Sequence, residues 1–241
     1  MHRRNAAMET YQQATAFHYA AYRPPLHQAI LQRALPAGSR FEHGVDVGSG
    51  TGYSALALAA YCRRVSGVEP SEAMRQAAQP HPAVSYLAGR ADALPLADGS
   101  ADILTLAGVL PYARSDASAA ELRRVGRVGA TLLVYDFEVL LDETLARLQL
   151  AEPPRADYDH AANLDGYPGF EREDGRQRRI ALTMSAEQLA HVLLSSSLRY
   201  PALAARYGNS QPFAPLWTEL AGQGGEHALP VDIYYSRYRL T

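Results

Sequence analysis

The sequence contains no lysine, and its single cysteine is Cys62. Without lysine there is no amine for a Schiff base and no side chain for the lysine of a phosphate-binding P-loop. One cysteine forms no intramolecular disulfide and builds no cysteine metal cluster. Beside Arg63 and Arg64, where the first helix after the glycines is expected to end, Cys62 reads as a packed small residue. No apolar run approaches the roughly 18 residues of a membrane span. The basic start Met1-His2-Arg3-Arg4-Asn5 leads into no apolar signal region, so a cytoplasmic protein with no membrane partner is expected. An excess of one charge sign is also missing. The 23 basic and 25 acidic residues leave a formal net charge of -2, too weak a field to favour nucleic acid as a partner.

What is present is enough apolar material, 47% of 241 residues, to bury a full core, and a single α/β domain over residues 1–241 is expected. The most informative stretch is Val45-Asp46-Val47-Gly48-Ser49-Gly50-Thr51-Gly52-Tyr53-Ser54. A short apolar run carrying one acid breaks into three alternating glycines and then into Ala55-Leu56-Ala57-Leu58-Ala59-Ala60, which predicts strand, tight turn and helix. Such a turn lets a ligand approach the backbone, and the helix start offers free N–H groups. The dinucleotide fingerprint G-x-G-x-x-G is not met, because Tyr53 stands where its third glycine belongs. Arg64 to Glu69 predicts a second strand ending in an acid roughly twenty residues on, where nucleotide-binding α/β units place a carboxylate for the ribose hydroxyls.

The remaining chain continues the alternation. Val84 to Ala88 predicts a third strand, Ala101 to Ala107 a central parallel strand after the turn Asp98-Gly99-Ser100, and Ala130 to Asp136 a fifth. Ahead of the glycines, Thr10 to Leu35 forms a helical cover (10–35) broken at Arg23-Pro24-Pro25. The helix Ala117 to Val125 places Glu121, Arg123 and Arg124, with Arg127 beyond it, on a solvated side, and Gly126 to Gly129 is a closing turn. Residues 138–177 are polar and turn-rich, the pattern of a substrate lid inserted in an enzyme. Within them Asp157, Asp159 and His160 form a local loop network, and no metal is expected. Arg179 to Met184 then alternates as a strand, Ser185-x-x-Gln188 opens a helix through Leu194 with a capping box, short helices follow at Pro201–Tyr207 and Pro215–Leu220, and Pro230 to Leu240 ends the chain as a strand.

The V-D-V-G-x-G-x-G spacing at Val45 to Gly52 closely resembles the first motif of class I S-adenosylmethionine (SAM) dependent methyltransferases. Leu94-Pro95-Leu96, Asp98 and Ser100-Ala101-Asp102 resemble the family's LPF-D-SFD pattern in order and spacing. Glu121 to Gly129 is similar to its ELxRVLRPGG turn, with Val128 in the proline's place. Tyr19-x-x-Tyr22-Arg23-Pro24 is similar to the N-terminal segment that helps close the cofactor pocket of small-molecule members. The resemblance, to the type 11 or ubiquinone-biosynthesis-like group, covers Tyr19 to Asp136. It implies a Rossmann-like, seven-stranded and mostly parallel sheet, with helices on both faces and an antiparallel C-terminal edge. It implies SAM as cofactor and methyl transfer by in-line displacement to a small-molecule acceptor.

The cofactor site so implied comprises Asp46, Gly48, Gly50, Gly52, Glu69, Asp92, Ala93, Ala107, Tyr22 and Arg23. Asp46 would organise the methionine amino group, Glu69 the ribose, and Asp92-Ala93 the adenine. At the end of the fourth strand the chain has Pro111-Tyr112 where relatives carry a histidine, so no catalytic base carries over. His18, Tyr112 and Asp136 are within reach by topology and none is singled out. The Asn-Pro-Pro-Tyr motif of amino-methylating enzymes lacks its Asn and first Pro here and does not match. Two rival readings stay open: a nicotinamide-binding oxidoreductase, disfavoured by Tyr53, and a non-catalytic SAM-binding interaction protein.

Overall fold

The structure is a computed structural model that describes residues 15, 17, 18, 21–151, 158–208 and 211–241. The chain divides into two compact units. One comprises residues 25–138, 157–178 and 232–241, and the other residues 1–24, 139–156 and 179–231.

The larger unit is built on the sheet. Helix α1 (Leu26–Ala34) leads into β1 (Phe41–Val47), α2 (Tyr53–Ala59), β2 (Cys62–Val68), α3 (Glu72–Gln76), β3 (Val84–Leu87) and β4 (Ala101–Ala107). Helices α4 (Leu110–Ala113) and α5 (Asp116–Val125) then precede β5 (Gly126–Val139). From His43 onward β1 is buried without interruption, as is β4 up to Leu106. Continuous apolar runs of this kind suit strands covered on both faces, and both pair in parallel with their neighbours. The parallel register sets Val47 beside both Val68 and Leu106, and Ala107 beside Tyr135, so β1, β2, β4 and β5 reach one rim together. The seven strands run in the order β3-β2-β1-β4-β5-β7-β6, with β6 (Phe170–Ser185) and β7 (Glu226–Leu240) as the antiparallel C-terminal pair. Val45, Leu104, Leu106, Leu122, Leu132 and Tyr238 are among the residues that form this unit's core.

The smaller unit has its own core around α6 (Asp142–Arg147), α7 (Ala186–Leu194), α8 (Tyr200–Tyr207) and α9 (Phe213–Gly222). Leu189, Leu193, Leu203, Leu216 and Leu220 are fully buried there. Of the N-terminal cover, Thr15, Phe17, His18 and Ala21 are helical, and the helix stops before Pro24-Pro25. His18 Nδ1 lies 2.9 Å from His191 Nδ1, and burial followed by the neighbouring ring lowers His18 to about 4.

Several sequence expectations change. The stretch 138–177 is not uniformly irregular: it holds α6 and the first part of β6, which begins at Phe170 rather than Arg179. Gly126 to Gly129 is strand rather than a closing turn, and β7 starts at Glu226. Cys62 opens β2 instead of ending a helix; its thiol is buried, pushed up to about 12 mainly by desolvation, and packs where a Cβ on Gly44 would meet it.

The capping box is as expected: Ser185 Oγ accepts from Gln188 N at 3.2 Å and Gln188 Oε1 accepts from Ser185 N at 2.9 Å. Ser185→Ala removes the acceptor for one helix-end N–H and is expected to cost about 1 kcal/mol in urea unfolding, with Gln188→Ala smaller in the same direction.

Candidate functional site

The parallel strands order 3-2-1-4-5 reverses direction of build between β1 and β4, and ligands of open α/β sheets bind outside the carboxyl ends at such a point. The Gly48–Gly52 loop lies there. Its first two amides are spent on the sheet, Gly48 N and Ser49 N both donating to Val68 O at 2.7 and 3.1 Å. The three glycines answer to different constraints. A Cβ on Gly48 would lie 2.4 Å from Val109 Cγ2, and one on Gly52 2.1 Å from the Tyr86 hydroxyl. At Gly50, φ is +52° and a Cβ would meet nothing within 4 Å. The outer two are therefore required by packing, while the middle one faces open space, as a ligand cradle requires.

Glu69 is buried and closes the other side of that space. Its Oε2 accepts the Gly50 N–H at 3.0 Å and its Oε1 accepts the Ser71 N–H at 2.9 Å. Each oxygen retains lone pairs for a further donor, so a vicinal diol fits this carboxylate. Asp46, inside β1, is fully buried. Ser54 Oγ from the first turn of α2 donates to its Oδ2 at 2.5 Å, and Thr105 Oγ1 from β4 donates to its Oδ1 at 2.7 Å. Desolvation nonetheless raises Asp46 from 3.8 to about 6, with Glu69 adding to the rise.

After β3, Asp92 and Ala93 are exposed in a loop closed by the Arg90–Ala93 bridge. Arg90 grips Asp92 with two hydrogen bonds, Nε to Oδ1 at 2.9 Å and NH2 to Oδ2 at 3.2 Å. The loop's far end is clamped by α5. Glu121 accepts the Leu94 N–H at 2.8 Å, and Arg124 donates to the carbonyls of Leu94 and Leu96 at 2.9 and 2.8 Å and to Asp98 at 2.6 Å. The arginines of α5 and of the start of β5 are thus not merely a solvated face: Arg127 of β5 pairs with Asp102 at 2.5 Å and Arg123 of α5 donates to Pro168 O at 3.3 Å. Ala107 ends β4, half-buried at the rim.

Asp46, the three glycines, Glu69, Asp92, Ala93 and Ala107 therefore lie in or follow the rim ends of β1 to β4 in the larger unit. Tyr22 and Arg23 belong to the smaller unit, half-buried, with the Tyr22 ring against its core and its phenol raised by desolvation. Tyr19 and Asp157 lie outside the described residues. One group went unrecognised in the sequence. His160 Nδ1 lies 3.0 Å from Asp136 Oδ2, across 24 residues, at the end of β5. A histidine in a loop and an acid in a strand, so far apart, share no spacing signal.

Among known proteins, residues 45–134 match a family model described as "Methyltransferase domain". Over 99 residues the chain is 39% identical to the ubiquinone/menaquinone biosynthesis C-methyltransferase UbiE of Rubrivivax gelatinosus, covering 40% of this chain and 39% of that protein. The chain spans about two fifths of the length of the curated relatives it matches. The structure of a candidate type II methyltransferase from Anaeromyxobacter dehalogenans aligns over 90% of this chain and 97% of its own, at 25% identity and TM-score 0.61. A candidate methyltransferase from Bacillus halodurans C-125 shares the fold at TM-score 0.52 and 17% identity, over 88% of this chain and 97% of its own.

Two expectations follow from the loop and its buried acid. Gly48→Ala combines left-handed strain with a clash against Val109 and should cost about 2–4 kcal/mol in urea unfolding, whereas Gly50→Ala should cost about 1–2 kcal/mol, the backbone strain alone. Asp46 has a folded-state pKa above its unfolded value, so its neutral form is favoured by folding and the penalty grows as pH rises from about 4 to about 6. Relative to Asp46→Asn, the wild type should lose about 3 kcal/mol across that window, at roughly 1.4 kcal/mol per pKa unit, measured by urea unfolding at each end.

Proposed function

We propose that the chain, whose residues 45–134 match a methyltransferase-domain model, carries a methyl group from SAM to a small-molecule acceptor. The observation that carries the proposal is the Gly50–Glu69 pair, an open backbone cradle beside a buried carboxylate already accepting the loop's own N–H. When bound, SAM supplies a methyl group already activated by a sulfonium. The residues that would hold it are the Gly48–Gly52 backbone and Asp46 at the methionine end, Glu69 at the ribose, and the Asp92-Ala93 loop at the adenine. The protein's part is positioning and exclusion of water, and alignment of reacting groups supplies up to roughly 7–11 kcal/mol of a barrier. Asp46 is ionised above pH about 6 and offers a charge-assisted acceptor to an ammonium group, directly or through water.

The name of the Rubrivivax relative places that protein in quinone biosynthesis, which supports a small acceptor here. We also take the two units to serve one catalytic domain. The nicotinamide alternative requires a third glycine that Tyr53 replaces. Among the described residues no helix is long and apolar enough to cross a membrane.

Thermal melting tests the cofactor. At a hundredfold excess over Kd, S-adenosylhomocysteine should stabilise by about 2.7 kcal/mol, a shift of roughly 5–10 °C for a chain of this size, and NAD should give none. Glu69→Ala should weaken S-adenosylhomocysteine binding by about tenfold or more, through loss of charged hydrogen bonds. A shift with NAD alone would sink the proposal, whereas cofactor affinity with no turnover on any acceptor pool would favour the non-catalytic reading.

A further inference from the structure

The rim beyond β4 carries chemistry that cofactor binding does not use. Gly108, following β4, donates its N–H to Tyr135 O at 2.9 Å, which sets it beside Asp136 on β5, and a Cβ on Gly108 would lie 3.3 Å from Asp136 Oδ1. Asp136 Oδ1 accepts the Phe137 N–H at 2.7 Å, and Oδ2 faces His160 Nδ1 at 3.0 Å. Tyr158 anchors the same loop to the strand end, its hydroxyl donating to Gly108 O at 3.0 Å. The His160 ring is held between the edge of Tyr158, at 4.6 Å between centroids, and the stacked face of Tyr234, at 5.6 Å and 15°.

With Nδ1–H given to the carboxylate, the tautomer leaves a lone pair on Nε2. Among the described residues nothing hydrogen-bonds to that nitrogen. His160 also lines a cavity of about 170 Å³ with Asn163, Arg172, Arg176, Gln177 and Tyr234. A cavity of about 150 Å³ holds one benzene ring, so this half-open one has room for a single ring. Its two guanidinium groups are already engaged, Arg172 with Asp165 and Arg176 with Asp174 at 3.4 Å, which favours an acceptor that enters uncharged.

We propose that this cavity is the methyl-acceptor site and that His160, oriented by Asp136, removes the proton from the hydroxyl of a single-ring phenol or enol. The inference rests on the methyltransferase reading above and names its acceptor class. A neutral amine already carries its electron pair, and an aliphatic hydroxyl gives up its proton far less readily than a phenol, so the phenol matches a single imidazole base best. A phenol, with a pKa of about 10, is close enough for proton transfer to assist. The O–H bond breaks and its proton goes to His160 Nε2. The oxygen's electron pair forms the new O–CH3 bond as the C–S bond breaks, and that bond's pair stays on sulfur as a neutral thioether. His160 is left as an imidazolium paired with Asp136 and returns its proton to solvent. Asp136 is the positioning residue.

The charged and titratable groups facing His160 are Asp136 and Glu138 from β5, Tyr158 and Asp159 from its own loop, Tyr234 from β7, and Arg172 and Arg176 from β6 across the cavity. The acids prevail, the Asp136 hydrogen bond most of all, and hold His160 above its ordinary 6.5. The neutral base therefore appears only on the alkaline side of that raised value.

The test uses 4-nitrophenol, whose anion is coloured, titrated from mildly acid to neutral pH into the protein saturated with S-adenosylhomocysteine. Phenolate beside imidazolium holds the same single proton as phenol beside neutral imidazole, so in the wild type the bound phenol should ionise at a lower pH than the free phenol. In His160→Gln, with cofactor affinity and melting temperature retained as the check on folding, the phenolate band should fall about tenfold or more. In Asp136→Asn the pH midpoint of the band should move down. With SAM, the wild type should consume the colour as 4-nitroanisole forms, and His160→Gln should lower kcat by about 10²–10⁴-fold with the KM for SAM unchanged. If S-adenosylhomocysteine binds but nitrophenol does not, or ionises equally in His160→Gln, the inference falls and the methyltransferase reading stands. If S-adenosylhomocysteine does not bind, both fall.

Discussion

A fully buried carboxylate sits at the centre of the larger unit, and the arrangement of the rim depends on it. Asp46 in β1 is held by Ser54 at the start of α2 and by Thr105 in β4. Burying an ionisable group is unfavourable unless it is hydrogen-bonded, and here each oxygen accepts one hydroxyl, the two coming from different elements. The three-way contact fixes the distance between the glycine loop's two ends and the neighbouring strand. Loop, helix start and β4 are therefore positioned as one body, with Val109 packed on Gly48 and Tyr86 on Gly52 completing the fit.

The two ends of the same strands are put to different uses. At the N-terminal ends, His43 and Asp102 are consumed by structure: His43 N donates to Asp102 Oδ2, and the imidazole is bound by Ser100 O and Ser66 Oγ. Burial lowers His43, and both nitrogens are engaged, so nothing there is left over for a ligand. At the carboxyl ends the polar groups keep spare capacity. Glu69 has unused lone pairs, Gly50 faces open space, and Asp136 orients a histidine whose second nitrogen no described residue bonds. A parallel sheet makes this division possible, because every crossover returns the chain to the same edge.

The frame was legible in the sequence wherever a local rule sufficed. Continuous apolar runs marked β1 and β4, the glycine spacing marked the turn, and Ser185-x-x-Gln188 marked the capping box. The family's two downstream patterns were recognised as strings, and the structure supplies their physical relation: Glu121 and Arg124 of one bind the backbone of Leu94 and Leu96 and the Asp98 carboxylate of the other. What was not legible depends on pairing partners distant in sequence. The first half of β6, Phe170 to Arg178, is dense in charge and reads as loop, yet it forms strand because β7 lies beside it, with Glu173 paired to Arg237 and Glu171 to Arg239. Cross-strand ion pairs let charged residues hold an edge strand that propensity alone disfavours.

The same reasoning explains why donor and acceptor differ in how readily they are read. A cofactor shared across a family is held largely by backbone, and backbone exposure leaves a trace in sequence as glycine at fixed spacing. The proposed acceptor site draws on side chains from separate connections, His160 in the loop after β5, oriented by Asp136 of β5, and Tyr234 in β7. Each residue alone has an ordinary packing explanation. Their chemistry comes from the tautomer that Asp136 imposes on His160 and from the cavity that His160 lines, both of them properties of the folded rim.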